Sequence, residues 1–158
     1  MKQTALAKWF LFSESDFFIE KNMTGRNLRN LIAGIEITES LGNLSSETEN
    51  ITFDSRKVRP GGLFVAIPGE KHDGRTFIKE ALDRGATTII TEASLQSLSS
   101  LHIDREKVTL LRTSDSRKSL AIVSANFYEN PSAYLSLTGI TGTNGKTTLT
   151  YILEALAK

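Results

Sequence analysis

The sequence predicts an α/β fold built around a mainly parallel sheet. Three observations carry this expectation. Short apolar and β-branched runs alternate with segments of helical periodicity, and glycines and prolines punctuate them. Near the end, a strand-like run leads through a glycine-rich loop into an amphipathic helix.

Taken in order, Asn27–Ala33 predicts a short helix with Leu28, Leu31 and Ile32 on one side, ended by Gly34. Glu36–Asn50 is polar and reads as a loop with a weak strand. Ile51–Phe53 is a short strand. Leu63–Ile67 is a stronger one, bounded by Pro60–Gly62 and Pro68–Gly69. Arg75–Arg84 predicts a helix with Phe77, Ile78, Ala81 and Leu82 on its apolar side, closed by Gly85. Thr87–Thr91 is β-branched and strand-like. Ala93–Leu101 reads as helical and Val108–Leu111 as a strand. Ser114–Tyr128 reads as a helix with Leu120, Ala121, Val123, Ser124 and Phe127 turned inward. Asn130–Pro131–Ser132 marks a domain boundary. Beyond it, Tyr134–Ile140 predicts a strand and Lys146–Ala157 a helix with Leu149, Ile152, Leu153 and Leu156 on one face. A single strand–loop–helix cannot bury both faces of its strand. The expectation is therefore a 26–131 domain, then the opening of a second, truncated domain over 132–158, the alternative being that this last unit adds to the first domain's sheet. Residues 1–25, with Trp9, Phe10, Phe12, Phe17 and Phe18, read as an N-terminal extension.

Composition narrows the function. A chain of 158 residues can build one sizeable core, or one domain plus part of another. With 39% hydrophobic and 23% charged residues it falls in the globular class. A formal net charge of +1, with scattered cations, gives no electrostatic basis for nucleic-acid binding. With no cysteine, disulfides, thiolate catalysis and thiolate metal sites are excluded. His72 and His102 are too few for a histidine-rich zinc site. Thr4–Phe12 is apolar but broken by Lys8 and followed by SESD, so it does not read as a signal peptide. No run approaches the roughly 20 apolar residues needed to span a bilayer.

The sharpest chemical feature is Thr141–Thr148, TGTNGKTT. Glycines let backbone N–H groups turn toward an anion, and a helix N-terminus adds unpaired donors and a favourable dipole. Lys146 can reach outer phosphates, and the Thr147 hydroxyl can ligate magnesium. Asn144 can hold the loop shape, and Thr148 adds a second hydroxyl. The standard phosphate-loop pattern places a glycine five positions before Gly145, where this chain has Ile140. Its glycines stand at 139 and 142 instead. A glycine-rich turn with a capping threonine, unrelated to nucleotide, is the plain structural alternative.

The stretch GITGTNGKTT resembles the ATP loop of the Mur ligases, the MurE branch in particular. In that family the glycine spacing is the usual one. Asp54–Gly62, DSRKVRPGG, followed by LFVAIPGEKHDGRTF, resembles the UDP-binding N-terminal domain of MurE and MurF. NFYENPSAYLSLTGITGTNGKTT resembles the junction into the MurE central domain. The resemblance covers about residues 26–158. It implies an N-terminal Mur-ligase α/β domain followed by the first strand, P-loop and helix of a central P-loop ATPase-like domain.

The resemblance also implies roles. Phe53, largely through its backbone, and Ser55 match contacts to the UDP part of the substrate, as do Glu70, Lys71 and His72. Gly142, Thr143, Asn144, Gly145, Lys146, Thr147 and Thr148 match the ATP loop, with Lys146 and Thr147 catalytic and Thr147 the magnesium ligand. Asp54 and Arg56 are expected to shape the turn by pairing with each other. Ser55, Lys71 and His72 offer hydrogen-bond donors to a diphosphate or sugar. From these residues alone, DSR and KHDG read equally well as a charged strand end and a solvated turn, and Asp73–Gly74 as a turn signal.

The implied activity is ATP-dependent addition of the third amino acid, meso-diaminopimelate or L-lysine, to UDP-N-acetylmuramoyl-L-alanyl-D-glutamate. That reaction belongs to peptidoglycan and cell-wall synthesis, with ATP and Mg2+ required, in a cytoplasmic monomer with no nucleic-acid or membrane partner. Nothing in these residues selects between the two amino acids. The 158-residue chain alone is expected to lack ligase activity, because further magnesium ligands and the amino-acid site would lie in later domains. The alternatives are a UDP-sugar-binding module without ligase activity and a MurF-like ligase. The serine more usual in MurF stands as Thr143 here. Folate and cyanophycin ligases are more distant, and the DSR and HDG blocks speak against the folate branch.

Overall fold

The structure, a computed structural model, describes residues 26–69, 73–101, 103–135 and 138–157. The expected 1–25 extension, the contact segment Glu70–Lys71–His72, and His102 lie outside the described residues. The chain divides into two compact units, one over Met23–Ala133 and one that includes Tyr134–Lys158.

The first unit is a mixed α/β layer. Its sheet contains β2 (Ile37–Leu41), β4 (Ile51–Thr52), β5 (Gly62–Ala66), β6 (Ala86–Thr91) and β7 (Thr109–Thr113), in the order β2-β7-β6-β5-β4. Strands β4 to β7 are mutually parallel, and β2 joins β7 antiparallel at the edge. A two-stranded antiparallel ribbon pairs β1 (Arg26–Asn27) with β3 (Glu47–Thr48).

Covered on both faces, the central strands need no polar alternation. β5 is buried at every position. The period of two sends Phe64, Ala66, Ile89 and Leu110 to one face. That face packs against Ile78 and Ala81 of α2 (Ile78–Asp83) and Leu98. Leu63, Val65, Ile90 and Leu111 go to the other face, against Leu28 and Leu31 of α1 (Leu28–Leu31) and Val123 and Phe127 of α3 (Ser116–Phe127). Each large side chain fully removed from water contributes about 1.5–3 kcal/mol. Asn126 adds a polar tie, since its Nδ2 donates to the carbonyls of Leu31 at 2.9 Å and Ala33 at 3.0 Å, closing the open end of α1.

Several expectations shift. Within Glu36–Asn50, β2 is a full five-residue edge strand. The 75–84 helix starts as a 3-10 turn, Gly74–Phe77, which leaves Phe77 exposed rather than inward. Leu95–Leu101 is a 3-10 helix. In α3 the buried stripe runs Ser116, Ser119, Val123, Phe127, and Ala121 faces solvent. These positions follow the i, i+3/i+4 spacing, which Ala121 does not share with Val123 and Phe127.

In the second unit α4 (Lys146–Ala157) has the expected span. Among the described residues of Tyr134–Ile140 there is no strand, and Pro131–Tyr134 forms a 3-10 turn. A strand needs a neighbour to satisfy its backbone groups, and the described residues of this unit include no other strand. Leu149, Ile152 and Leu156 of α4 are exposed. No described helix is long and apolar enough to cross a membrane.

Candidate functional site

In parallel sheets, ligands gather at the carboxyl ends of the strands. β4 and β5 are neighbours in parallel register, Thr52 opposite Phe64. Phe53–Arg56 therefore leaves the same sheet end as Ile67–Gly69, which runs toward Glu70–His72. Two segments separated in sequence are thus brought side by side by the topology.

The first segment is tightly built. Thr52 Oγ1 accepts from Asp54 N at 3.0 Å and donates to the Asp54 carbonyl at 3.2 Å. Asp54 caps the 3-10 helix Ser55–Lys57, accepting from Arg56 N at 3.1 Å. The same carboxylate takes a two-pronged ion pair from Arg56, Nε at 2.8 Å and Nη2 at 2.9 Å. The hydrogen bond from Arg56, opposed by desolvation, holds the Asp54 carboxyl down at about 2. The expected mutual pairing of Asp54 and Arg56 is present. Phe53 is 65% exposed, while Ser55 is buried and donates its hydroxyl to Glu80 Oε2 at 2.7 Å. Neither periodicity nor motif spacing singled out Glu80. Its partner lies 25 positions away, and only the fold brings them together.

The second segment is pinned from its far end. Gly74 N–H donates to the Ile67 carbonyl at 2.9 Å. Asp73 caps the next 3-10 turn through Arg75 N at 3.0 Å and pairs with the Arg75 side chain. The Arg75 hydrogen bond holds the Asp73 carboxyl below its ordinary range.

The N-terminus of α3 opens at the same end of the sheet but is already filled. Glu92 Oε1 accepts from Ser116 N at 2.9 Å and Ser116 Oγ at 2.7 Å, and Asp115 accepts from Lys118 N at 2.9 Å. Two carboxylates occupy the donors that could have received a phosphate.

In the second unit, the loop before α4 has Gly142 at φ +151° and Gly145 at φ +79°, backbone that side chains disfavour. Lys146 Nζ donates to the Gly142 carbonyl, folding the ammonium over the loop. Thr143, Asn144, Thr147 and Thr148 are exposed. Successive backbone N–H groups in such a glycine turn can form a concavity that takes an anion. Among the described residues no group of three or more His, Cys, Asp or Glu could hold a metal ion. A groove of about 550 Å³ beside Glu39, Leu41, Leu95 and Arg105 includes none of the expected site residues.

The family described as "Mur ligase family, catalytic domain" matches residues 47–128, just over half of the chain. The chain belongs to the Mur ligase family. The matched stretch of this Mur-ligase chain includes the Asp54–Arg56 turn, Gly74 and Glu80, and ends before the glycine loop.

The chain is MurE-like. It is 48% identical over 110 residues to the UDP-N-acetylmuramoyl-L-alanyl-D-glutamate--2,6-diaminopimelate ligase of Clostridium botulinum, covering 70% of this chain and 22% of that protein. The enzyme of the same name from Clostridium perfringens is 38% identical over 129 residues, covering 82% of this chain and 25% of that protein. Among solved structures, the MurF ligase from Thermotoga maritima in complex with ADP is similar at 34% identity and a TM-score of 0.44, covering 69% of this chain and 23% of that one. The chain spans about a quarter of the length of the curated relatives it matches.

Proposed function

We propose that this chain supplies the UDP-binding domain and the ATP loop of an ATP-dependent ligase. That ligase adds diaminopimelate or lysine to UDP-N-acetylmuramoyl-L-alanyl-D-glutamate. The observation that carries the reading is the shared sheet end. β4 and β5 run parallel, so the Phe53–Ser55 turn and Ile67–Gly69 leave the same end of the sheet within the family-matched region. In this reading residues 26–131 bind the UDP moiety, 132–158 belong to an ATP-binding domain, and 1–25 are an extension. Phe53, Ser55, Glu70, Lys71 and His72 contact the UDP part.

Gly142–Thr148 cradles the triphosphate. The loop N–H groups and Lys146 hold its oxygens where charge builds up. To do so, Lys146 exchanges the Gly142 carbonyl for phosphate oxygens, a carbonyl-for-anion swap that favours the ammonium. Thr147 gives the one side-chain oxygen for magnesium, which when bound neutralises phosphate charge. In the reaction so implied, the substrate carboxylate takes a phosphoryl group from ATP. The incoming amine then attacks the acyl phosphate, and the amide forms with release of phosphate. The substrates are small molecules, and the setting we propose is a cytoplasmic monomer.

Calorimetric titration tests the reading. Binding of both the UDP-N-acetylmuramoyl dipeptide and Mg-ATP is expected, from independent sites. Dipeptide binding without ATP binding would reduce the chain to a sugar-nucleotide module, and binding of neither would end the proposal.

A further inference from the structure

Ser55 and Glu80 meet at the sheet end where β4 closes. Ser55 is 6% exposed and donates through Oγ to Glu80 Oε2 at 2.7 Å. The other carboxylate oxygen, Oε1, accepts from Arg84 Nε at 3.2 Å. Arg84 in turn reaches the Arg56 carbonyl at 3.4 Å, so the helix and the turn brace each other. The bond from Ser55 is the main cause holding the Glu80 carboxyl below its ordinary range. Burial opposes it, and Arg84 adds to it.

An ionised carboxylate only accepts hydrogen bonds, and a serine hydroxyl has a single proton. That proton is committed to Glu80. What Ser55 retains for a ligand is its lone pairs. The phosphate oxygens of a sugar-linked diphosphate carry no proton at neutral pH and also only accept. Two acceptors facing each other repel.

We infer that Glu80 is a positioning residue that makes Ser55 an acceptor toward the ligand. Ser55 then reads an N–H or O–H on the nucleoside end of UDP, not the diphosphate. This rests on the proposed reading of the turn as a UDP contact. It revises the expectation that the Ser55 hydroxyl donates to a diphosphate or sugar, and a diphosphate must find its donors elsewhere. Uridine offers three donors: the imide N3–H of the base and the 2′- and 3′-hydroxyls of the ribose. A hydrogen-bonding site that loses its partner's donor is left with an unpaired buried acceptor, which weakens binding.

The test uses the full chain and calorimetry. Its ligands are UDP-N-acetylmuramoyl-L-alanyl-D-glutamate and three analogues: N3-methyl on the base, 2′-deoxy, and 3′-deoxy. One analogue is expected to bind the unmodified chain roughly 3–10-fold more weakly than the parent. Ser55→Ala should remove that penalty, and Glu80→Ala should reduce it. Equal binding of all three analogues and the parent would overturn the inference while leaving the UDP reading intact. An undiminished penalty in Glu80→Ala would also overturn it, returning Glu80 to a purely structural brace. No binding of the parent ligand would overturn the UDP reading and this inference together. Because the analogue series is measured on the unmodified chain, equal binding overturns the inference even if a variant fails to fold.

Discussion

Gly74 lies directly on the backbone of Ile67, donating its N–H to the Ile67 carbonyl at 2.9 Å. A Cβ at position 74 would stand 2.5 Å from that oxygen and 2.6 Å from the Ile67 nitrogen. Both are main-chain atoms of the strand exit, which cannot swing aside as a side chain can. Gly74→Ala is therefore expected to destabilise the 23–133 unit by about 1–3 kcal/mol, the range for forcing extra atoms into a packed site. Urea unfolding checks this. On the proposed UDP reading, affinity for the UDP conjugate should fall as well. An unchanged midpoint would show that the Gly74–Ile67 contact tolerates a side chain.

The Asp54–Arg56 pair gives a pH prediction. The Asp54 carboxyl is held at about 2 in the folded chain, chiefly by its hydrogen bonds from Arg56. An unfolded aspartate titrates near 3.9. A depressed folded value means the pair's contribution is fully present above about 3.9 and is lost as pH falls toward 2. Carboxyl-carbon NMR should place the Asp54 midpoint near 2 in the native chain. In Arg56→Ala it should rise toward the ordinary aspartate value. A native midpoint near 4 would dissolve the ion pair as an account of the turn.

Much of the sheet was legible because strands covered on both faces leave unbroken apolar runs. Leu63–Ala66 and Ile89–Ile90 are such runs, and each residue's face follows from parity alone. β2 was harder to see, because Glu39 interrupts its apolar alternation. Its carboxylate is accommodated by Arg112 on the neighbouring strand and by Leu95 N, partners 73 and 56 positions away. The Arg112 hydrogen bond is the main cause lowering the Glu39 carboxyl. Glu80 was invisible for the same reason, since its meaning lies in Ser55, 25 positions away. The Tyr134–Ile140 strand was read from β-type composition, which says what a segment can do only when a neighbouring strand accepts it. The turn residues Asp54, Arg56 and Gly74 were readable because their partners are close in the chain or in the strand exit they follow.

Glu92 offers a stability test at the same sheet end. Its Oε1 satisfies both the backbone N and the Oγ of Ser116, a fully buried residue at the start of α3. Glu92→Ala strands two buried donors and removes a cap, a loss of about 1–3 kcal/mol. Glu92→Gln keeps a carbonyl oxygen for those donors and should cost less. If the two variants unfold at the same denaturant concentration as the parent, water replaces the carboxylate without penalty and the capping account fails.

On the proposed reading, a change at Lys146 tells the ATP loop apart from the UDP contacts. Its ammonium is bonded to the Gly142 carbonyl at the head of α4, with its surroundings exposed, so Lys146→Met removes charge and donors without opening a core. A hydrogen bond to a charged group is worth about 1.5–3 kcal/mol, so Mg-ATP should bind roughly 10–100-fold more weakly. The UDP conjugate, assigned by the proposal to the 23–133 unit, should bind as before, and the thermal midpoint should not move. Gly145→Ala probes the same loop through its backbone. At φ +79° a Cβ meets no neighbouring atom within 4 Å, so any loss reports conformational strain alone. The two substitutions should therefore weaken Mg-ATP for different reasons, the lysine by removing a salt-sensitive attraction and the glycine by disturbing the N–H cradle. Raising ionic strength should narrow the gap between Lys146→Met and the parent while leaving that between Gly145→Ala and the parent in place. Mg-ATP binding that ignores both changes would show that this loop is a glycine turn and not a phosphate cradle.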